Sequence, residues 1–126
     1  MREFLRSAIR GASVTGCRPD GDDAVVVDRD LLAAADLLPL ERVTVTNTSR
    51  GLRFETVCAA APPGGRAVVC SGAVAGSAAV GDQLVIAAYA GLDREDLPHH
   101  VARVVELDED NRVRAVVART PFDVEG

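Results

Sequence analysis

Apolar residues recur along the chain in runs of about five to nine, separated by glycine, proline and aspartate. Most of these runs lack the spacing of about 3.6 residues that marks an amphipathic helix. They therefore predict an all-β fold made of short strands. The predicted strands cover residues 3–9, 12–15, 24–27, 42–47, 52–59, 67–70, 83–90, 101–107 and 113–118.

Two of the polar segments between these runs predict β-hairpins. The stretch "TNTSRGLRF" predicts a turn at Ser49, Arg50 and Gly51, where glycine tolerates a positive φ. The stretch "LDEDNRV" predicts a second turn over residues 109–111.

Two other segments predict short helices. In "DRDLLAAADLLP" we expect Asp30 to cap an alanine- and leucine-rich helix that ends before Pro39. In "GLDREDLP" the pattern predicts one helical turn over residues 93–97. With no linker or repeat in sight, residues 1–126 are predicted to form a single domain.

The basic residues are unusual, because all 14 of them are arginine and none is lysine. Catalysis through a lysine Schiff base, including catalysis with pyridoxal phosphate, is therefore excluded. The net charge of −5 disfavours binding to nucleic acid or to an anionic membrane. With aromatic residues at only 3%, the chain also lacks stacking platforms for bases.

The three cysteines, Cys17, Cys58 and Cys70, fit neither a disulfide framework nor a metal site. We expect reduced thiols, no bound metal and a cytoplasmic protein. The N-terminal segment is too charged for a signal peptide, and no apolar run reaches the roughly 18 residues of a membrane span.

Three segments together resemble the pyruvoyl-dependent aspartate 1-decarboxylases of β-alanine and pantothenate synthesis. They are "DRDLLAAADLLP", "NTSRGLRF" and "CSGAVAGSAAVGDQLVIA", and the similarity runs from about Leu5 to Tyr89. The resemblance implies a double-psi β-barrel and a homotetramer with active sites between neighbouring subunits.

The resemblance breaks at the bond that the family cleaves. Family members cut a Gly-Ser bond by attack of the serine hydroxyl and convert the serine to a pyruvoyl group, which forms a Schiff base with aspartate. The matching pair here is Asp23-Ala24, and no Ser, Thr or Cys lies between Arg18 and Val43. Because alanine has no hydroxyl, we expect no self-cleavage and no pyruvoyl cofactor.

Further family positions are altered here as well. The family's lysine matches Ala8, its proton-transfer tyrosine matches Val57, and an active-site asparagine matches Ser71. Each change removes the reactive group that the resemblance would assign to the position.

The positions that hold the substrate in the family are retained. Arg53 matches the arginine that pairs with a substrate carboxylate, and Thr56 matches a site threonine. Gly72 and Ala73 match a backbone stretch whose N–H groups contact the ligand. The resemblance therefore implies a small-molecule carboxylate as the ligand.

Each retained feature also has a purely structural interpretation. Arg53 could form a surface ion pair with Glu55 or Glu41, and "SGAVAG" at residues 71–76 could be a plain turn between strands. Residues three apart face opposite sides of a strand unless a bulge intervenes, which weakens a shared role for Arg53 and Thr56.

The remaining reactive side chains are weaker candidates. Cys58 and Cys70 sit in apolar runs typical of buried, inert thiols. If His99-His100 lies on a strand, its two rings face opposite ways and cannot both line one site. The acidic pair Asp22-Asp23 could supply a carboxylate base, although "DGDD" is more typical of a solvated loop.

Three functions remain open on these grounds. The first is a repurposed enzyme of lyase or isomerase type that acts on a small carboxylate, in specialised metabolism for instance, without pyruvoyl, pyridoxal phosphate or metal. The second is a non-catalytic binding or assembly barrel. The third is aspartate 1-decarboxylation itself, which we rank last because it needs a cofactor that Ala24 cannot form.

Overall fold

The computed structural model describes residues 1–125, in which nine strands form one sheet in the order β2-β6-β3-β5-β4-β7-β1-β8-β9. The strands are β1 (Arg2–Ser13), β2 (Gly16–Arg18), β3 (Ala24–Asp28), β4 (Arg42–Asn47), β5 (Leu52–Ala61), β6 (Val68–Ser71), β7 (Gln83–Leu92), β8 (Ala102–Leu107) and β9 (Val113–Arg119). The prediction of a mainly β chain is confirmed.

The first strand differs from its prediction. Instead of two strands over residues 3–9 and 12–15, the chain forms the single strand β1, with register shifts between Leu5 and Ser7 and between Arg10 and Ala12. Gly11 has a φ of +75° at the second shift, a conformation that glycine adopts readily. The bulges let one strand bend through the region where the pattern of apolar residues is interrupted.

The two-residue connection between β1 and β2 joins strands that stand far apart in the order of the sheet. β2 follows β1 after only two residues and pairs with β6 in parallel. The Thr15 N–H donates to the Val68 carbonyl at 2.7 Å, and the Val14 N–H donates to the Asp82 carbonyl at 2.9 Å. These hydrogen bonds connect the strands at one end of the order to those near the other, which makes the sheet barrel-like.

Both predicted hairpins are present. β4 and β5 pair in antiparallel fashion across a turn in which Gly51 has a φ of +69°. β8 and β9 pair across the second turn, where the buried Asn111 has a φ of +60°. The Asn111 side chain also donates to the Ser13 carbonyl at 2.9 Å, which fixes this hairpin to the end of β1.

The predicted helix is present as α1 (Arg29–Ala34), but the capping residue was predicted wrongly. Asp28, not Asp30, is the N-cap, and its carboxylate accepts the Asp30 N–H at 2.8 Å. The buried Asp28 carboxylate also accepts the N–H of Arg66 at 2.6 Å, so it ties the turn at residues 62–65 to the helix. This second contact is long-range, and therefore the local pattern did not reveal it.

Two 3₁₀ helices complete the fold, over Gly72–Ser77 and Arg94–His99. The first covers most of "SGAVAG", for which the sequence left open a ligand-binding backbone segment or a plain turn. The second extends the predicted helical turn to His99, so His99-His100 ends a helix and does not lie on a strand. That correction removes the premise that the two rings face opposite sides of a sheet.

Buried aliphatic side chains from most strands and from α1 fill the main core, among them Ile9, Val25, Leu32, Ile86 and Val105. A smaller apolar cluster lies apart from it and consists of Ala8, Ala87 and Val104. Among the helices in residues 1–125, none has the length and hydropathy that a membrane span requires.

Candidate functional site

The position that matches the family's cleavage point lies where β3 begins and β6 ends. Ala24 and Ser71 are register partners in this antiparallel pair, and both are buried. We call the surrounding group, made of Asp23, Ala24, Ser71, Gly72 and Ala73, the cleavage-point region. The fold thus brings together residues 23–24 and 71–73, the two distant segments that the resemblance assigned to one site.

Close backbone packing at this junction requires glycine at position 72. Gly72 has a φ of +72°, and a Cβ there would lie 2.8 Å from both the Cα and the backbone nitrogen of Asp23. Such a contact is too short for carbon or nitrogen, and the positive φ adds strain for any other residue. Gly72 therefore sets how closely the β6 end approaches the chain at Asp23.

The Asp23 carboxylate binds the backbone of the same region. Its Oδ1 accepts the Ala73 N–H at 2.7 Å. This N–H, which the resemblance assigns to ligand binding, is therefore taken by a carboxylate of the protein itself. A ligand could take this donor only by displacing Asp23, and the role of Gly72 and Ala73 in ligand binding stays a prediction.

Arg53 lies on the exposed part of β5. Its Nε donates to the hydroxyl of its register partner Thr46 at 3.2 Å. The predicted alternative, an ion pair with Glu55 or Glu41, is wrong because both carboxylates are engaged elsewhere. Glu55 pairs with Arg42, and Glu41 pairs with Arg6 at 2.5 Å. Within residues 1–125, the Arg53 guanidinium has no carboxylate partner.

Thr56 and Val57 follow on the same strand. The β4–β5 ladder has no register shift, so Arg53 and Thr56 face opposite sides of β5. The Thr56 hydroxyl oxygen is buried and has no hydrogen-bond partner among the described residues. Buried polar atoms are usually paired, so this one marks a local exception.

The parallel pairing of β3 with β5 positions Val57 beside the cleavage-point region. Val25 is the register partner of Cys58, so continuing the ladder by one residue places Val57 next to Ala24. Arg53 lies four residues earlier on β5, roughly 13 Å along the strand at about 3.3 Å per residue. Arg53 and the cleavage-point region therefore lie on adjacent strands and are not in direct contact.

Ala8 lies on β1, outside the cleavage-point region. It pairs with Ala87 on β7 and with Val104 on β8, and it belongs to the smaller apolar cluster. Alanine fits there because the neighbouring side chains are themselves small or aliphatic. Within this chain, residue 8 is not part of the cleavage-point region.

The thiols of Cys58 and Cys70 and the imidazoles of His99 and His100 are not part of the cleavage-point region. Cys58 and Cys70 are fully buried, and desolvation raises the pKa of both thiols, that of Cys70 to about 11. This confirms their interpretation as buried thiols. His99 is exposed, and His100 lines a separate cavity of about 240 Å³ with Phe4 and Arg119.

A polar network at the β4–β5 hairpin was only partly predicted from the sequence. We call Asn47, Arg50 and Asp82 the turn network. Asp82 Oδ2 accepts the Asn47 amide at 2.9 Å, Arg50 Nε at 2.5 Å and the Ala79 N–H at 3.0 Å. The hydrogen bonds from Asn47 and Arg50 lower the pKa of Asp82 to about 2. Asn47 precedes a turn and Asp82 follows Gly81, the only local hints of this contact.

The fold and the junction define a small barrel-like β domain in which distant segments meet where β3 begins and β6 ends. The family model for aspartate decarboxylase matches residues 1–114. The chain belongs to the aspartate decarboxylase family, and its sheet is the family's double-psi β-barrel.

Individual relatives carry the same name. An aspartate 1-decarboxylase of Hyphomonas neptunium is 38% identical over 111 residues, which cover 88% of this chain and 94% of that protein. Aspartate 1-decarboxylase 1 of Gloeobacter violaceus is 40% identical over 117 residues, covering 93% and 99%. An aspartate 1-decarboxylase of Staphylococcus aureus is 34% identical over 111 residues, covering 88% and 87%.

Proposed function

We propose that this chain is a family member that stays uncleaved and binds a small carboxylate through Arg53, without a pyruvoyl group. The observation that carries the proposal is Ala24, whose methyl group stands at the start of β3 where the family places a serine hydroxyl. Arg53, which lacks a carboxylate partner among residues 1–125, supports the binding half of the proposal.

The chemistry of self-cleavage explains why Ala24 is decisive. Cleavage begins when a hydroxyl oxygen attacks the preceding carbonyl carbon and the acyl group moves from nitrogen to oxygen. The resulting ester then eliminates, and hydrolysis of the product leaves the keto group. Alanine has neither the attacking oxygen nor the ester oxygen that must leave, so both steps fail at the Asp23-Ala24 bond.

A guanidinium is well suited to hold the ligand. It is planar, remains protonated and can donate two parallel hydrogen bonds to one carboxylate. Arg53 is exposed on β5 and makes only one neutral hydrogen bond, to Thr46. Binding a carboxylate therefore requires no competing ion pair to break.

An activity at this site would have to use acid–base chemistry of the chain or reactivity of the substrate itself. Proton transfer, cyclisation and decarboxylation driven by an electron-withdrawing group in the substrate are compatible with this requirement. Asp23 and Asp22 are the carboxylates adjacent to Ala24, and Asp23 is held by the Ala73 N–H. We propose a lyase or isomerase type of reaction on this basis.

A second candidate is a non-catalytic binding or assembly barrel, and one observation favours it. The Asp23 carboxylate already occupies the Ala73 N–H, and Gly72 packs against the Asp23 backbone. In this view the retained glycines serve folding, and the ligand site is closed by the protein's own side chain. Aspartate decarboxylation, the activity in the relatives' names, ranks third because it needs the hydroxyl that Ala24 lacks.

The binding proposal is tested by titrating mono- and dicarboxylates into the purified protein by calorimetry. We expect Arg53→Ala to weaken binding by about 10- to 100-fold, since a charge-assisted hydrogen-bond pair is lost. Arg2→Ala is the matched control, because Arg2 is an exposed strand arginine on β1. Equal affinities for the wild type and Arg53→Ala would overturn the proposed role of Arg53 and favour the non-catalytic barrel.

We further propose that the protein acts in the cytoplasm as a homotetramer. The family resemblance supports this assembly, and sites between subunits would bring Ala8 of one subunit near a neighbour. Sedimentation or native mass measurement at several concentrations tests it. A monomer at all concentrations would contradict the tetramer without affecting the role of Arg53.

A further inference from the structure

Two cysteines lie opposite each other at one edge of the sheet. β2 pairs with β6 in parallel, and the register partners are Cys17 and Cys70. Partner residues in a parallel ladder project to the same side of the sheet. In agreement with this, Cys70 belongs to the main core and Cys17 packs against that core.

The spacing of paired strands is compatible with a disulfide bond. Neighbouring strands lie about 4.7–4.9 Å apart, within the Cα–Cα range of roughly 4.4–6.8 Å that disulfides span. Their Cβ atoms must approach to roughly 4 Å, which requires a small shift of one strand. β2 has three residues and pairs only with β6 in the described sheet, so it is the strand that can move.

The two thiols differ in access to solvent. Cys17 is partly exposed, and its thiol donates to the Ala78 carbonyl at 3.4 Å. Cys70 is fully buried. Cys58 is also fully buried and lies on β5, where its thiol donates to the Leu38 carbonyl at 3.0 Å. An oxidant from solvent therefore reaches Cys17 first.

We propose that Cys17 and Cys70 form an intramolecular disulfide when the folded protein meets a hydroperoxide. In the first step the Cys17 sulfur attacks one peroxide oxygen, the O–O bond breaks, and the products are a sulfenic acid and water or an alcohol. In the second step the Cys70 sulfur attacks the Cys17 sulfur, the S–O bond breaks, and water leaves with the Cys70 proton. The peroxide is reduced by two electrons, and the two thiols are oxidised by the same number.

The order of these steps follows from the surroundings of each sulfur. Desolvation raises the pKa of the Cys70 thiol to about 11, so only a small fraction is thiolate at neutral pH. Cys17, which solvent reaches, is therefore the sulfur that meets the peroxide, and Cys70 is the one that closes the bond. Because Ser71 follows Cys70 directly, the cross-link would lie one residue from the cleavage-point region.

The test is to treat the folded, reduced protein with hydrogen peroxide and to map its peptides without reduction. We expect a linked pair of peptides containing Cys17 and Cys70, a mass loss of two hydrogen atoms, and full reversal by dithiothreitol. Sulfinic acid at Cys17 without a link would overturn the proposal. A link between Cys17 residues of two molecules, or a link that includes Cys58, would also overturn it.

Two variants serve as controls, and neither replaces Cys70 in the core. Cys17→Ser should abolish the link and leave Cys70 reduced, whereas Cys58→Ala should leave the link intact. Circular dichroism of each variant verifies the fold before oxidation. Since the readout is a covalent bond, the result does not depend on ligand binding or on the proposed function.

Discussion

The cleavage-point region and the turn network each use a carboxylate to hold backbone at the end of a strand, but to different degrees. In the turn network, Asp82 accepts three hydrogen bonds, and one of its partners is the cationic Arg50. In the cleavage-point region, Asp23 accepts one hydrogen bond, from the Ala73 N–H, and its side chain is exposed. The first is a satisfied structural network, and the second is a contact that a ligand could replace.

Two arginines of one hairpin illustrate the same difference. Arg50 is bound to Asp82 at 2.5 Å, whereas Arg53 contacts only the Thr46 hydroxyl at 3.2 Å. They are three residues apart and identical in type, so residue type alone does not distinguish them. Their partners assign Arg50 to the fold and leave Arg53 available for a ligand.

The largest effect is expected from Asn47→Ala in the turn network. Asn47 is fully buried, and its amide donates to the Ser77 carbonyl at 3.0 Å and to Asp82 at 2.9 Å. Its side-chain oxygen accepts the N–H groups of Ser49 and Arg50. Removing it leaves buried polar groups unpaired, and we expect a loss of about 3 kcal/mol in the free energy of unfolding.

Denaturant unfolding measures this change, with Arg53→Ala as the counterpart from the same hairpin. We expect Arg53→Ala to alter stability by less than about 0.5 kcal/mol, since it removes one exposed contact. If the two variants were equally destabilised, the division between structural and available polar groups would fail.

A smaller effect is expected from Gly72→Ala, which tests the close packing at the cleavage-point region. The new Cβ would collide with the Asp23 backbone and would also occupy a positive-φ residue. We expect a loss of about 2–3 kcal/mol in the free energy of unfolding. Gly51→Ala is the matched control, with a φ of +69° and nothing within 4 Å of the added Cβ.

The control should lose only the cost of the left-handed conformation, about 1 kcal/mol. The difference between the two substitutions then isolates the contact with Asp23. A Gly72→Ala variant as stable as Gly51→Ala would mean that residues 72 and 23 are not packed as described.

The smallest effect is a pH dependence carried by Asp82. Its pKa is lowered from the usual value near 3.8 to about 2 in the folded state, so the folded protein holds the charged form more strongly than the unfolded chain does. The resulting stability is present above the unfolded pKa and is lost as the pH falls through about 2. Asp108 and Asp123, whose pKa values are also lowered, contribute in the same direction.

Thermal unfolding at pH 5 and at pH 2.5 measures the dependence on pH. We expect Asp82→Asn to show a smaller drop in melting temperature between these pH values than the wild type. Asp20→Asn, in the exposed loop before β3, should keep the wild-type drop. An unchanged drop in Asp82→Asn would remove Asp82 from the acid-sensitive groups.

Local patterns were sufficient for most of the fold. Strand runs, two turn motifs and the alanine-rich helix depend on neighbouring residues, and they were predicted near their observed positions. The contact of Asp28 with Arg66 and that of Asn47 with Asp82 in the turn network join residues more than 30 positions apart. Such contacts exist only after the sheet has formed, so no local pattern could reveal them.

The candidate site shows the same limit. The resemblance to the family assigned residues 23–24 and 71–73 to one site, and the structure places them in contact. That Asp23 would bind the Ala73 N–H, and that Glu55 and Glu41 would be taken by other arginines, required side-chain positions. These are the contacts that decide which polar groups are available.

The central claim is that the Asp23-Ala24 bond stays intact, and the intact mass of the denatured protein tests it most directly. A family member from Hyphomonas neptunium, purified and incubated in the same way, provides the comparison. The account predicts a single species near 13.2 kDa, allowing for any tag or loss of Met1. Two fragments whose masses add up to the chain, with a break at Asp23-Ala24, would contradict it and would make aspartate the first substrate to assay.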